Sequence, residues 1–130
     1  MATEKTMQVQ EEMIQLSVDV INMCQKLSLP SSVVSQVTRS VTSIGANFTE
    51  AQDASSKKDF VNKIYIAKKE AAETIYWLAI IAKLSNDNKE IVQLSDRVQK
   101  FVMMLQKIIN TSKEGNRKSP LVNASELGNR

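Results

Sequence analysis

The side chains with the clearest chemical capacity in this sequence are lysines gathered in one stretch. Between positions 57 and 69, five lysines are balanced by a single acidic residue, Asp59, so the stretch carries a net charge of +4. Residues 113–130 carry four basic and two acidic side chains, a net charge of +2. Clustered cations attract phosphate backbones without reading base sequence. A solvated lysine face would fit the charge pattern equally well. The predicted phosphate-binding residues are Lys57, Lys58, Lys63, Lys68, Lys69, Lys113, Arg117 and Lys118.

Catalytic chemistry has little support in the residue types present. The chain contains no histidine, which excludes a Ser-His or Cys-His pair, a histidine metal ligand and an imidazole base. Glu50, Glu70 and Glu73 match the carboxylates of di-iron bundles, but those sites also require a Glu-x-x-His motif. The single cysteine, Cys24, lies beside an apolar stripe, where a buried and inert thiol is expected. We therefore expect no enzymatic activity, no catalytic residue, no metal and no cofactor.

Four segments must position these side chains, because apolar residues recur along each of them at alternating steps of three and four. That spacing is typical of one face of an α-helix. The predicted helices cover about residues 5–28, 31–54, 56–84 and 88–111. Ser31 or Ser32 is placed to cap the second helix, and Ser55 or Ser56 to cap the third.

The predicted fold class is all-α. Helices of similar length with short connections pack as antiparallel neighbours, which gives an up-down-up-down four-helix bundle over residues 1–112. Residues 113–130 are polar and predict a tail that is disordered or is ordered only by a partner. The longest strongly apolar run, 77–82, is far shorter than the roughly 20 residues of a membrane span. With a polar N-terminus and one cysteine, the sequence predicts a cytoplasmic protein that does not associate with membranes.

The second half of the third helix predicts self-association. Residues 75–82 read Ile-Tyr-Trp-Leu-Ala-Ile-Ile-Ala, so apolar side chains point in every direction around the axis. A helix that is apolar all round should be buried all round, whereas a four-helix bundle buries one stripe per helix. Trp77 and Ile80, on the side away from the core stripe, then need a partner, and a homo-oligomer supplies one. A monomer that exposes a few apolar residues is the alternative.

A polar stripe runs along the second helix, opposite its valines. Its members, three or four positions apart, are Gln36, Arg39, Ser40, Ser43, Asn47 and Glu50. Small residues allow helices to approach closely. Arg39 and Glu50 could form charged hydrogen bonds across a subunit interface. An ordinary solvated face is the simpler interpretation, and the spacing alone favours it.

Short motifs in the middle of the chain resemble a known family. They are Leu29-Pro30, Gln-Val-Thr-Arg-Ser at 36–40, Ser-Ile-Gly-Ala-Asn at 43–47, Glu50, Lys-Asp-Phe at 58–60, Ile-Ala-Lys at 66–68, and Glu-Thr-Ile-Tyr-Trp-Leu at 73–78. Over about residues 27–84 the chain is similar to the four-helix-bundle proteins encoded in intervening sequences of bacterial 23S ribosomal RNA genes. The outer helices fit that family by pattern only.

The resemblance implies a ring-shaped homopentamer. It also implies kinship with the accessory variability determinant of diversity-generating retroelements, a basic pentamer that binds nucleic acid and the element's reverse transcriptase. The chain departs from the family pattern at Ala51, where glycine is usual, and at Lys69-Glu70, where a small Gly-Ser pair is usual. Within the resemblance, an interface role is favoured for the residues at the family's recurrent polar positions, which are Arg39, Ser43, Asn47, Glu50 and Glu73.

The sequence supports two functional hypotheses of different classes. The first is a non-enzymatic, oligomeric accessory protein that binds RNA or DNA through its lysines, with a reverse transcriptase as candidate partner. The second is an interaction scaffold, a ring that holds another protein without a direct role for nucleic acid. Reversing the charge of the lysines in the third helix would separate them, because only the first hypothesis then predicts a loss of RNA binding.

Overall fold

Four helices make up the part of the chain that the computed structural model describes, residues 3–86 and 88–114. They are α1 (Glu4–Lys26), α2 (Ser31–Ala51), α3 (Lys57–Leu84) and α4 (Lys89–Glu114). No strand occurs among the described residues. The all-α, four-helix class predicted from the sequence is confirmed, whereas the assembly of several copies into a ring stays a prediction.

The starts of α2 and α3 differ in how well their caps could be predicted from the sequence. The hydroxyl of Ser56 caps α3 by accepting a hydrogen bond from the backbone N–H of Asp59 at 3.0 Å. The Asp59 carboxylate in turn accepts from the N–H of Ser55 at 3.2 Å. The first hydrogen bond satisfies an N–H group that the helix itself leaves unpaired, and the second holds the chain just before the cap. α2 begins directly after Pro30 and no side chain caps it, so the serine cap predicted there is wrong.

The C-terminal ends of α2 and α4 differ from the predicted bounds. α4 continues to Glu114, because Ile109 and Ser112 are buried and prolong its core stripe. Lys113 therefore lies on a helix, whereas the sequence placed it in the polar tail. The remainder of that predicted tail, 115–130, lies outside the described residues. α2 stops at Ala51, where backbone hydrogen bonds between residues three positions apart tighten the chain into a turn before α3.

Contacts between helices show an antiparallel arrangement. In each pair of contacts, the position on one helix rises as the position on the other falls. The pairs are Gln10 with Thr49 and Ser17 with Val41 for α1 and α2, Ser40 with Thr74 and Glu50 with Lys63 for α2 and α3, and Asp19 with Arg97 and Lys26 with Glu90 for α1 and α4. α3 also packs along α4, and no contact joins the diagonal pairs within the described residues. The cross-section is therefore a square in which α1 and α3 occupy opposite corners.

The core fills the space between the four apolar stripes. Its largest fully buried side chains include Met13, Leu16, Ile44, Phe48, Phe60, Ile64, Leu78, Ile81, Leu105 and Ile108. One polar contact lies among them, between the hydroxyls of Thr74 and Ser40 at 2.9 Å. Gly45 allows α2 to approach α1, since a Cβ atom added there would lie 3.3 Å from the Cβ of Met13. No helix in the described part of the chain is long and apolar enough to cross a bilayer.

Candidate nucleic-acid interface

The side faces of the bundle differ in chemistry. Each face lies between two neighbouring helices and is named after them. Ion pairs between helices lie on two opposite faces: Lys26 with Glu90 and Asp19 with Arg97 on the α4–α1 face, and Arg39 with Glu70, Arg39 with Glu73 and Lys63 with Glu50 on the α2–α3 face. On those faces cations are largely compensated by neighbouring carboxylates. The outward surface of α3 is built differently.

Exposed residues follow one line along the outside of α3, at steps of three and four. This line, the α3 stripe, consists of Lys58, Asn62, Tyr65, Lys69, Ala72, Tyr76, Ala79 and Lys83. It holds three lysines, two tyrosines and no carboxylate. With a rise of 1.5 Å per residue, its length is about 37 Å. Tyr65 and Tyr76 are 49% and 62% exposed, so the surface alternates cations with accessible aromatic rings.

The ring of Tyr65 lies close to two ammonium groups. The Nζ atoms of Lys68 and Lys69 are 5.7 Å and 5.9 Å from its centroid. Such distances give a modest cation–π attraction at an exposed site. Lys68 also donates a hydrogen bond to the side-chain oxygen of Gln106 on α4. The ring and the cations are thus held together on one side of α3.

The structure distributes the sequence-predicted phosphate ligands over several surfaces. Lys58 and Lys69 belong to the α3 stripe. Lys57 and Lys113 line a groove between the start of α3 and the end of α4. Lys83, which completes the stripe, was missed, although its helical spacing from Lys69 was readable in the sequence. Arg117 and Lys118 lie outside the described residues.

Lys63 is the exception among the lysines of α3. Its ammonium group turns toward α2 and lies 2.9 Å from the Glu50 carboxylate, which raises the pKa of Lys63. Lys63 therefore lies on the α2–α3 face with its own counterion, apart from the outward lysines, and a phosphate contact for it stays a prediction. A run of lysines in sequence wraps around a helix, so only some of them share a surface.

The polar stripe of α2 is engaged by α3 of the same chain. Arg39 forms ion pairs with Glu70 and Glu73, and Glu50 pairs with Lys63. Arg39 and Glu50 thus each have an ion-pair partner within the chain. Ser43 and Asn47 are half-buried, and the Asn47 side chain donates to the backbone carbonyl of Ser43 at 2.9 Å. A role for this stripe in a subunit interface stays a prediction.

Glu73 is the centre of this network. The indole N–H of Trp77 donates to its carboxylate at 3.0 Å, and the Arg39 guanidinium contacts the same oxygen. The two hydrogen bonds, that of Trp77 first, lower the pKa of Glu73. The stabilisation that this carboxylate contributes is therefore present above the ordinary carboxyl pKa of about 4 and is lost as pH falls through the lowered value. Because the carboxylate and the guanidinium are partly exposed and solvent screens them, the contribution is small.

The exposed apolar surface lies partly where the sequence suggested, since Tyr76 and Leu84 of α3 are 62% and 54% exposed, and partly on other helices. Trp77 and Ile80 are half-buried, and Trp77 packs against the core, so placing Trp77 on the side away from the core was wrong. α1, by contrast, exposes Met7, Ile14 and Val18, with 53%, 55% and 42% of their surfaces accessible. These residues are 7 and 4 positions apart, a second helical series beside the buried one. Because α1 and α3 are at opposite corners, this surface points away from the α3 stripe.

Other reactive groups do not form a centre. Cys24 is buried, and burial raises the pKa of its thiol, which disfavours the reactive thiolate. Among residues 3–86 and 88–114, no cluster of cysteine, aspartate and glutamate side chains could hold a metal ion. The α3 stripe is thus the arrangement with the clearest binding chemistry.

Comparison with known proteins identifies a family to which the sequence is similar. The family model described as 23S rRNA-intervening sequence protein matches residues 5–107. No curated protein is significantly similar in sequence. One similar solved structure is a protein of unknown function from the S23 ribosomal protein family of Bacteroides thetaiotaomicron. It is 33% identical, the match covers 82% of this chain and 99% of that chain, and the TM-score is 0.71.

Proposed function

The chain belongs to the family of 23S rRNA-intervening sequence proteins, and from that premise we propose that it is a non-enzymatic, self-associating accessory protein that binds RNA or DNA. The observation that carries the proposal is the α3 stripe, in which lysines and exposed tyrosines alternate without a carboxylate. Lysines contact phosphates, while tyrosine rings offer flat surfaces to bases. The proposed setting is the cytosol, with which the single free thiol of Cys24 is compatible.

Binding of this kind is driven by charge and tolerates many sequences. Each phosphate contact releases counterions, so affinity falls steeply as salt rises. Filter binding of the wild-type protein to a structured RNA and to a single-stranded DNA, at low and moderate salt, tests the proposal. We expect binding to both at low salt and a loss at moderate salt. No binding to either at low salt would overturn it.

Self-association is the second part of the proposal. Met7, Ile14 and Val18 give α1 an exposed apolar line, and covering it with another copy removes that surface from water. Because α1 lies diagonally opposite α3, the α3 stripe of each copy remains accessible. A closed ring, of five copies as the family resemblance implies, would repeat the stripe and raise the avidity for a long nucleic acid.

Light scattering tests this assembly. The chain has a mass of 14.5 kDa, and a wild-type particle of that mass at about micromolar concentration would refute self-association. The double variant Ile14→Lys, Val18→Lys should yield monomers. The matched control is Val92→Lys, Met103→Lys on α4, at residues that are 53% and 56% exposed, and it should keep the wild-type mass.

An interaction scaffold is the alternative function. The exposed apolar line of α1 also suits a different protein, such as a reverse transcriptase, whose docking would cover it in place of another copy. Changing Lys58, Lys69 and Lys83 to Glu separates the roles. If RNA binding is lost while a protein partner still binds, the two activities belong to different surfaces. If RNA never binds and the partner does, the scaffold function replaces the proposed one.

A further inference from the structure

A groove lies where the start of α3 meets the end of α4, beside the α3 stripe. Its volume is about 900 Å³, within the range of roughly 300 to 1,000 Å³ that is usual for small-ligand pockets. Val61 and Ile109 supply apolar surface, and Tyr65 supplies an aromatic ring at the junction with the stripe. The groove therefore offers a concave apolar surface next to a line of cations.

The rim of the groove is mainly basic. Lys57 and Lys58 approach from α3, and Lys113 approaches from α4. Asp59 also lines the groove, but its carboxylate is held in the cap of α3 by the backbone N–H of Ser55. Three ammonium groups around an apolar floor complement an occupant that is flat and apolar in one part and anionic in another.

Two polar side chains of the groove, Ser112 and Asn62, can form hydrogen bonds with such an occupant. Ser112 is fully buried, and its hydroxyl has no hydrogen-bond partner within residues 3–86 and 88–114. The exposed side chain of Asn62 also lines the groove. A buried hydroxyl without a partner is costly unless a ligand or a small local shift satisfies it.

We propose that this groove receives an unpaired nucleotide, whose base stacks on Tyr65 and contacts Val61 and Ile109 while flanking phosphates contact Lys57, Lys58 and Lys113. The inference rests on the proposed nucleic-acid binding and names its substrate class as single-stranded nucleic acid. In a duplex the bases are stacked on each other, and only their edges and the backbone can reach a protein. An unpaired base offers its flat face to an aromatic ring, and that contact tolerates any base.

An acidic peptide is the competing occupant, because it would also satisfy the lysines. The single strand is favoured because the groove opens onto the α3 stripe, where Lys69 and Tyr76 continue the same alternation of cation and ring. A strand that leaves the groove along α3 therefore meets further phosphate and base contacts. An acidic peptide has no bases to stack on the rings, so the regular spacing of cations and rings along α3 gives it no comparable set of contacts.

Fluorescence anisotropy with two probes tests the inference. One probe is a labelled oligouridine of about 12 nucleotides, and the other is a labelled RNA duplex of the same length. Tyr65→Ala should weaken binding of the oligouridine about tenfold, as expected for a lost stacking contact, and binding of the duplex by less than about twofold. Tyr65→Phe retains the ring and should bind both probes as the wild type does. Tyr65 is exposed, so these variants should keep the helical circular dichroism of the wild type.

Met103→Ala is the control, since Met103 is 56% exposed on α4 and lies outside both the groove and the α3 stripe. It should leave binding of both probes unchanged. If Tyr65→Ala affects both probes equally or neither, the groove inference is overturned while nucleic-acid binding stands. If the wild type binds neither probe, both proposals fall. A labelled oligoglutamate peptide that binds more tightly than oligouridine, and depends on Tyr65, would overturn the nucleotide as occupant.

Discussion

Removing the three lysines of the α3 stripe should weaken nucleic-acid binding by a predictable factor. The variant changes Lys58, Lys69 and Lys83 to Gln, and all three are exposed, so the bundle should fold normally. For a single strand, each lost phosphate contact reduces the slope of log affinity against log salt by about 0.7. At about 0.1 M salt this is about fivefold per contact, and about a hundredfold for three contacts.

The assay is an anisotropy titration of a labelled single strand at several salt concentrations. Lys63→Gln is the matched control, because it removes the same charge from the same helix. Since Lys63 pairs with Glu50 on the α2–α3 face, its loss should change affinity by less than about twofold and leave the salt slope unaltered.

Two results would contradict phosphate binding by the lysines of the α3 stripe. In the first, the three-lysine variant keeps the wild-type affinity and slope, and the stripe then contacts no phosphate. In the second, Lys63→Gln loses as much per charge as the stripe variant does. Binding would then follow the net charge of the chain, and the arrangement of lysines on α3 would be irrelevant.

Leu16→Ala removes a fully buried side chain and should lower the free energy of unfolding by about 2–5 kcal/mol in urea titrations; a loss below about 1 kcal/mol would contradict the packing described. Gly45→Leu places a branched side chain against Met13, where even a Cβ atom would lie at 3.3 Å. Its thermal midpoint should fall well below that of Gly45→Ala, because overpacking separates the helices, and equal midpoints would argue against a tight contact. Trp77→Phe removes the indole donor, so the pKa of Glu73 should rise toward its ordinary value in an NMR titration. The variant should then gain less stability than the wild type as pH rises from about 2 to about 5; an unchanged pKa would mean that the indole hydrogen bond is unimportant.

The fold could be predicted because each helix carries its own buried series. The apolar spacing that includes Ile44, Phe48 and Ile64 places these residues in the core, and the cap at Ser56 follows from local chemistry. The core positions and the cap of α3 depend on neighbours in the sequence, and the pattern reports them directly. The missing cap of α2 could not be predicted in this way, because the helix begins at Ser31 and Pro30 occupies the capping position.

The candidate interface was only partly predictable, because it depends on how each helix is rotated against its neighbours. Lys63 looks like Lys58 in sequence, yet one faces a carboxylate on α2 and the other faces outward. Trp77 belongs to an apolar run, but its indole reaches Glu73 and its ring packs against the core. Once the buried series of α3 is known, the rotation is fixed, and the outward line that joins Lys58 to Lys83 follows from helical spacing.

Lysine footprinting shows whether nucleic acid binds the outward side of α3. The wild-type protein is acetylated with and without a saturating single-stranded oligonucleotide, and the modification of each lysine is read by mass spectrometry. If nucleic acid binds there, Lys58 and Lys69 should be protected, while modification of Lys26 and Lys63, which lie on the ion-paired faces, should stay unchanged. Protection of Lys26 and Lys63 with full modification of Lys58 and Lys69 would contradict binding on this side of α3.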